Sequence, residues 1–252
     1  MHGGWGGDGH LQAVLELAGV PFTGAGSAAC ALAWNKVQTL GLLRAAGIAT
    51  PPSGAWRHGY ADPPDDVWRL LADGPVVVKE ATGTCRRTLH VATTPAQLRD
   101  ACELAHHGEL LLVTPYLAGR EFTVAVVGPD VLPVAEIRLD GPLLDHAAKS
   151  RGGTDVRCPA ELPSAPAGEL AAAALAAHHA LGMGDRAVSR VDLRCDADGR
   201  PYCLEVNACP GLRPGSPLAL AARGAGWSYP DLVERVMDLA VAPAASVLEP
   251  AL

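Results

Sequence analysis

The stretch that most limits what this chain can become is VSRVDLRCDADGRPYCLEVN, residues 188–207. Two strand-like runs flank Asp196-Ala197-Asp198-Gly199, a turn-forming sequence, so the runs read as antiparallel neighbours in a hairpin. Residues two apart on a strand share a face. Arg190 and Asp192 therefore point one way, and Val191 and Leu193 the other. In the return run Glu205 and Asn207 share a face by the same rule, and closing the hairpin brings Asp192 near Glu205. A solvated strand edge explains any one of these polar residues. It is the weaker explanation for Arg190, Asp192, Glu205 and Asn207 together. Directly beyond them, Pro210-Gly211 ends the strand.

Two carboxylates and an amide oxygen on adjacent strands are hard oxygen donors. Mg²⁺ suits such a set, because it takes few protein oxygens and completes its octahedron with phosphate and water. An arginine beside metal ligands makes sense if an anion is also held there. Three lysines fit the same chemistry: Lys36 in ALAWNK, Lys79 at the end of PVVVK, and Lys149 in LLDHAAKSRGGT. A lone lysine is usually a solvated surface group. Lys79, however, follows Val76, Val77 and Val78, where a lysine is out of place unless it reaches a pocket. The small-residue loop ATGTCRR, residues 81–87, comes next and includes Thr84 and Cys85. Strand, lysine, small loop, strand is a pattern for cradling phosphate with backbone N–H groups and an ammonium. It is weak alone, since neither a Walker motif nor G-x-G-x-x-G is present.

The rest of the chain reads as mixed helix and strand. DGHLQAVLELAGV spaces Leu11, Val14, Leu15 and Ala18 as a helix, with Asp8 as its N-cap and Gly19 as its stop. PFTGAGSAACALAWNKVQTLGLLRAAGI begins as a turn and continues as one helix capped by Gly47. After a Pro-rich linker come a short strand, the helix DDVWRLLADG and the strand PVVVKEA; TLHVATTPAQLRDACELAHH follows as a strand, then a helix with a Thr N-cap and Pro in its first turn. ELLLVTPYL, REFTVAVVG and DVLPVAEIRL read as strands. GELAAAALAAHHALG and YPDLVERVMDLAV read as helices, and APAASVLEPAL as a loose tail. The pattern is α+β: antiparallel-rich sheets with helices on one face, in two lobes.

Composition removes several function classes. Of 252 residues, 49% are hydrophobic and 19% charged, which a folded core requires and a disordered chain lacks. The net charge of −7 argues against a nucleic-acid or anionic-membrane surface. No apolar run approaches the ~20 residues that span a bilayer. The opening MHGGWGGDGH has neither a basic nor an apolar targeting region. Seven unpatterned cysteines point to reduced thiols and a cytoplasmic location.

HGGWGGDGHLQAVLELAGVPFTGAGSAACALAWNK, DHAAKSRGGT, CPAEL, SRVDL and LEVNACPGL…S together resemble the D-alanine–D-alanine ligase family of ATP-grasp enzymes. The likeness runs in order from His2 to about Ala240. It implies an ATP-grasp fold of two α+β lobes with ATP between them. The corresponding division is a remnant of the N-terminal substrate domain at 1–33, a central lobe at 34–112, a C-terminal lobe at 113–240 and a tail at 241–252. It also implies the reaction: the γ-phosphate of ATP goes to the carboxylate of one D-alanine, and the amine of a second attacks the acyl phosphate, for peptidoglycan precursor synthesis. By the resemblance, Asp192, Glu205 and Asn207 hold two Mg²⁺ or Mn²⁺ ions. Lys36, Lys79, Thr84 and Cys85 contact phosphates, and Glu121 takes the ribose hydroxyls. Lys149 reaches the transferred phosphate from a loop that closes over the site. Arg190 and the Gly211 N–H meet the developing oxyanion, and Ser216 binds the carboxylate of the second amino acid. The family also suggests a homodimer.

Some positions depart from the family's pattern. A strand–helix–strand unit that helps bind the first amino acid normally precedes the His-Gly motif; a misassigned start, a fragment and a true loss each account for its lack before Met1. Gly7 stands where an acid is usual, Arg86 and Arg87 replace small residues in the phosphate loop, and Thr114 with Pro115 replaces the acid before the lobe hinge. Ser150 stands for a tyrosine and Arg213 for a threonine. The metal and ATP positions are mostly kept, while the departures fall chiefly on the amino-acid sites. Two alternatives therefore stand beside D-alanine ligation: amide ligation of another carboxylate–amine pair in secondary metabolism, and a non-catalytic nucleotide-binding remnant.

Overall fold

The computed structural model describes residues 4–83, 89–139 and 154–241. A short 3-10 turn at Gly4–Gly6 leads into three helices: α1 (His10–Leu17), α2 (Ser27–Trp34) and α3 (Lys36–Ala45). Next come β1 (Gly54–Arg57), α4 (Asp65–Asp73), β2 (Val76–Glu80), β3 (His90–Ala92), α5 (Pro95–Cys102) and β4 (Leu110–Pro115). The second half holds β5 (Glu121–Val127), β6 (Asp130–Val131), β7 (Ala135–Leu139), β8 (Thr154–Arg157), α6 (Ser164–Ala180), β9 (Val188–Cys195), β10 (Pro201–Asn207), α7 (Pro217–Gly224) and α8 (Tyr229–Val241).

Two antiparallel sheets organise these elements. The smaller has the order β1-β4-β2-β3. Helices α4 and α5 cover one of its faces, burying Val67, Leu71 and Leu98 against Trp56, Val76, Val78 and Val113. Thr94 caps α5, its side chain accepting from the Gln97 N–H, with Pro95 in the first turn as expected. The larger sheet has the order β10-β9-β5-β7-β8, with β6 paired to β5.

The central strands of the larger sheet have two different faces. On one, Phe122, Val124, Val191, Leu193, Cys203 and Val206 pack against α6 and α2. Ala174 and Ala177 of α6 are fully buried. Alanine favours the helix and lets it lie close to the sheet. The opposite face changes character along its length. Val127 and Val188 are register partners at one end and are covered by α7 and α8 through Leu218, Leu232 and Val236. Moving along β9, the partners become Ala125 with Arg190, then Thr123 with Asp192, then Glu121 with Arg194. The helices cover the apolar end, and the polar end forms the cleft.

Three local expectations are corrected. The helix expected to run unbroken to Gly47 breaks at Asn35, which is extended at φ −104°, ψ 100° and bridges to Thr82. The Lys36 N–H donates to the Ala81 carbonyl at 2.7 Å. The Asn35 side chain then caps the new helix by accepting from the Val37 and Gln38 N–H groups. This tertiary tether outweighs the helix propensity of the sequence around it. The N-cap of α1 is Gly9 at φ 98°, not Asp8. A Cβ on Gly9 would lie 2.5 Å from the Ser27 carbonyl oxygen, so the approach of α1 to α2 demands glycine there. The strand expected across DVLPVAEIRL is split into β6 and β7 at Leu132–Val134, around Pro133, which has no N–H to give a ladder.

Candidate functional site

The hairpin of β9 and β10 forms as its turn sequence requires, and Glu205 is the register partner of Asp192, Asn207 that of Arg190. The register shifts between Cys203 and Glu205. Unbroken alternation would put Cys203, Glu205 and Asn207 on one face. The irregularity instead sends Cys203 and Val206 into the core and leaves Glu205 and Asn207 on the cleft side. An extra residue in one strand re-aims the side chains after it, and such features recur beside active sites. Nothing in the sequence pattern marks it.

Asp192 is the centre of the polar cluster. Arg190 donates to it twice, Nε to Oδ1 at 2.9 Å and Nη2 to Oδ2 at 2.7 Å. Thr123 Oγ1 donates to Oδ1 at 2.7 Å. Sequence reasoning missed Thr123; the signal was there, since alternation in EFTVAVV puts Thr123 on the Glu121 face. Burial works against the Arg190 charge, but the Asp192 carboxylate, its hydrogen bonds and the nearby Glu205 and Glu121 outweigh it and push the guanidinium above its ordinary value. Arg190 is therefore a fixed cation.

Lys36 and Lys79 approach from the smaller-sheet side, and both are buried. Lys36 Nζ donates to the Gly83 carbonyl at 2.7 Å and lies 3.9 Å from Glu205 Oε2. The break at Asn35 puts Lys36 at the start of α3, directly on the return from β2. Lys79 sits where β2 leaves its valine run and is near enough to Cys203 to favour its thiolate. Burial and the charges of Asp192 and Glu205 dominate there and hold the Cys203 thiol well above its usual value, so it is an inert core group. All cysteines among the described residues are free thiols.

Beyond β10 the chain turns sharply. Asn207 Oδ1 accepts from the Cys209 N–H at 3.0 Å. Gly211 borders a cavity of about 160 Å³ with Gln12, Thr23, Gly24, Cys209 and Leu212. Ser216 is buried and caps α7, its Oγ accepting from the Ala219 N–H at 3.2 Å. The hydroxyl proton and the N-terminus of α7 together make a position that suits a carboxylate. Arg213 is exposed, as an ordinary solvated arginine is. Thr84, Cys85, Arg86, Arg87, Lys149 and Ser150 lie outside the described residues.

Among the described residues no group of three or more His, Cys, Asp or Glu side chains is placed to enclose a metal. Asp192, Glu205 and Asn207 instead supply an incomplete set of hard oxygens beside the cations Lys36 and Arg190. Such a set fits a divalent ion whose remaining ligands come from phosphate and water, and does not fit a closed structural site. No described helix is long and apolar enough to cross a membrane.

A family model described as the D-ala D-ala ligase C-terminus matches residues 42–238. The chain is 36% identical over 246 residues to a D-alanine–D-alanine ligase of Anaeromyxobacter sp. (strain Fw109-5), covering 94% of this chain and 77% of that one. Its identity to a D-alanine–D-alanine ligase of Nitratidesulfovibrio vulgaris (strain DP4) is 37% over 248 residues, covering 97% and 80%. The solved D-alanine–D-alanine ligase of Bacillus anthracis complexed with ATP superposes with a TM-score of 0.81 at 26% identity, covering 96% of this chain and 77% of that one. The D-Ala:D-Ser ligase VanG of Enterococcus faecalis superposes with a TM-score of 0.82 at 27% identity, covering 94% and 70%. With its two antiparallel sheets and the cluster around Asp192, the chain belongs to the D-alanine–D-alanine ligase family and has that family's α+β ATP-grasp fold.

Proposed function

We propose that this protein joins two D-alanines at the expense of ATP, through an acyl phosphate, for peptidoglycan precursor synthesis. The observation that carries the reading is the register pairing of Asp192 with Glu205, with Arg190 and Lys36 held beside them in one cluster. A carboxylate is a poor electrophile, and phosphorylation supplies it with a leaving group. A carboxylate oxygen of the first D-alanine attacks the γ-phosphorus of ATP, and ADP departs. The amine of the second D-alanine then attacks the acyl carbon, loses a proton and expels phosphate. Both steps gather negative charge, so catalysis rests on charge neutralisation and positioning.

The chain's residues divide this work. Lys36 and Lys79 face the ATP phosphates from the smaller-sheet side, and Thr84 and Cys85 are further phosphate contacts in our reading. Glu121 takes the ribose hydroxyls. Asp192, Glu205 and Asn207 hold Mg²⁺ or Mn²⁺, two ions in our reading. The metal, when bound, neutralises phosphate oxygens. Arg190, kept in place by Asp192, and the Gly211 N–H stabilise the oxyanion of the tetrahedral intermediate. Lys149 meets the transferred phosphate, and Ser216 with the N-terminus of α7 receives the second carboxylate. We place the protein in the cytoplasm as a homodimer.

Phosphate release from ATP tests the reading. It should require both a divalent cation and D-alanine, and D-alanyl-D-alanine should accumulate in step with phosphate. Absence of stimulation by any D-amino acid would sink it. Turnover with D-serine or another amine as second substrate, and none with D-alanine alone, would move the protein to a different substrate pair. ATP binding without turnover across a broad panel would mark it as a non-catalytic nucleotide-binding protein.

A further inference from the structure

Arg194 lies on the cleft face of β9, two residues beyond Asp192 and therefore about 7 Å further along the strand. It is the register partner of Glu121. Its Nη1 donates to Glu121 Oε2 at 3.3 Å, and the two side chains are only 9% and 11% exposed. Its Nη2 donates to Tyr116 Oη at 3.2 Å, and its guanidinium carbon lies 5.0 Å from the centre of the Tyr116 ring. Tyr116 belongs to the connector that carries the chain from β4 of the smaller sheet to β5 of the larger. That connector is pinned at both ends. The Tyr116 N–H donates to the Pro75 carbonyl at 2.8 Å, the Gly119 N–H to the Cys195 carbonyl at 2.9 Å, and the Cys195 N–H to the Arg120 carbonyl at 2.9 Å. A Cβ on Gly119 would lie 2.4 Å from the Asp196 carbonyl oxygen, so the connector can reach the end of β9 only with glycine there.

We infer that Arg194 is a positioning residue for nucleotide recognition: it clamps the Glu121 carboxylate to the connector between the lobes and so fixes where the ribose hydroxyls are read. This rests on the proposed role of Glu121. A buried apolar side chain would fill the same place without the desolvation of a guanidinium, so the charge calls for a reason other than packing. The planar fork supplies one, because it grips a carboxylate and a phenol oxygen at once and stacks on the ring, which a lysine does not do. Phosphates gathered at Asp192 and Glu205, with ribose at Glu121, put the nucleobase end of the cleft beside Arg194 and Tyr116.

Binding of ADP, 2′-deoxy-ADP and 3′-deoxy-ADP with Mg²⁺, measured by calorimetry, separates the two readings and needs no turnover. The wild-type chain should bind ADP about tenfold more tightly than the deoxy analogues, the difference made by one well-placed hydrogen bond. Glu121→Gln should abolish most of that preference. Arg194→Met should reduce it to about twofold, with ADP itself weakened by a similar factor to the loss of preference. Arg194→Lys should fall between Arg194→Met and wild type. If Arg194→Met does not fold, Arg194→Gln carries the same comparison. Preference lost in Glu121→Gln but intact in the Arg194 variants overturns the clamp and leaves the ribose role standing. Preference intact in Glu121→Gln overturns the ribose role and the clamp with it.

Discussion

The two faces of β9 are built from alternating residues of one short strand, yet they are held in place by different physics. Val191 and Leu193 are buried against α6 and β10 by apolar contact. Arg190, Asp192 and Arg194 are also largely shielded from water, but each is held by charge and hydrogen bonds. The apolar face tolerates neighbours that merely fill space. The polar face requires specific partners at specific atoms, because an unpaired buried charge is costly. That difference teaches where function can be altered without loss of fold. Partners at the edge of the polar cluster carry chemistry, and partners at its centre carry chemistry and stability together.

Glu205 is the sharpest edge case. It is half-buried, and the register partner it faces, Asp192, already has Arg190 and Thr123. Glu205→Ala should lower metal-dependent ATP turnover by about a thousandfold or more, the size expected when several kcal/mol of charge stabilisation are removed. Its melting temperature should stay close to wild type. Near-normal turnover would refute the metal assignment. Asp192 is the central case. Asp192→Ala strands the Arg190 guanidinium in a buried setting and should cost about 3–5 kcal/mol of stability as well as activity. On the other face, Leu193→Ala should cost about 2–5 kcal/mol through a cavity. The faces separate in the double variant Arg190→Met with Asp192→Leu. It should regain most of the stability lost in Asp192→Ala and none of the activity. Denaturant unfolding compared with phosphate release reads both, and recovery of neither would erase the distinction between the faces.

The same contrast decides what the sequence could disclose. Alternation and turn chemistry are local properties, so the hairpin, the shared face of Arg190 and Asp192, and the nearness of Asp192 to Glu205 could be read directly, while their pairing in register depends on the shift in β10. Helix α5 followed from its Thr cap and first-turn Pro, α8 from its amphipathic pattern, and α6 from its alanine-rich run, for the same reason. The register shift at Cys203–Glu205 could not be read, because it depends on how the hairpin seats on its core. The break at Asn35 was hidden as well. The segment reads as helix throughout, and only the bridge to Thr82 from a distant strand end opens it. The roles of Thr123 and Arg194 needed β5 beside β9, a pairing between segments far apart in sequence. Motif likeness supplied the nucleotide and substrate roles, which no strand pattern contains.

Asn35→Ala tests the cap at the break, an effect of smaller scale. Losing the cap should cost about 1 kcal/mol. Because Lys36 is the next residue, the variant should also raise the KM for ATP while leaving the KM for D-alanine nearly unchanged. An unaltered KM for ATP would show that Lys36 is positioned without the Asn35 cap.

The smallest expected effect concerns a titrating group on the core side of the sheet. His178 is fully buried, its Nδ1 2.7 Å from Ser189 Oγ, on the opposite face from Arg190. Burial pushes its imidazole below the ordinary value of 6.5, and the Gly184 carbonyl opposes this only in part. In the unfolded chain the imidazole protonates near pH 6.5, while in the folded chain it does so only at lower pH. Acidification below that value therefore favours unfolding until the folded value is reached, and above it the contribution is constant. Glu136 acts in a separate window. The Arg120 hydrogen bond holds its carboxyl below the ordinary 4.5, so its stabilisation is present above that pH and is lost as pH falls further. Melting temperatures followed from neutral pH to about pH 5 should thus decline in the wild type through His178 and little through Glu136. His178→Asn should melt lower at neutral pH but with a flatter slope. An equal slope in that variant would show that His178 is not the source of the acid sensitivity.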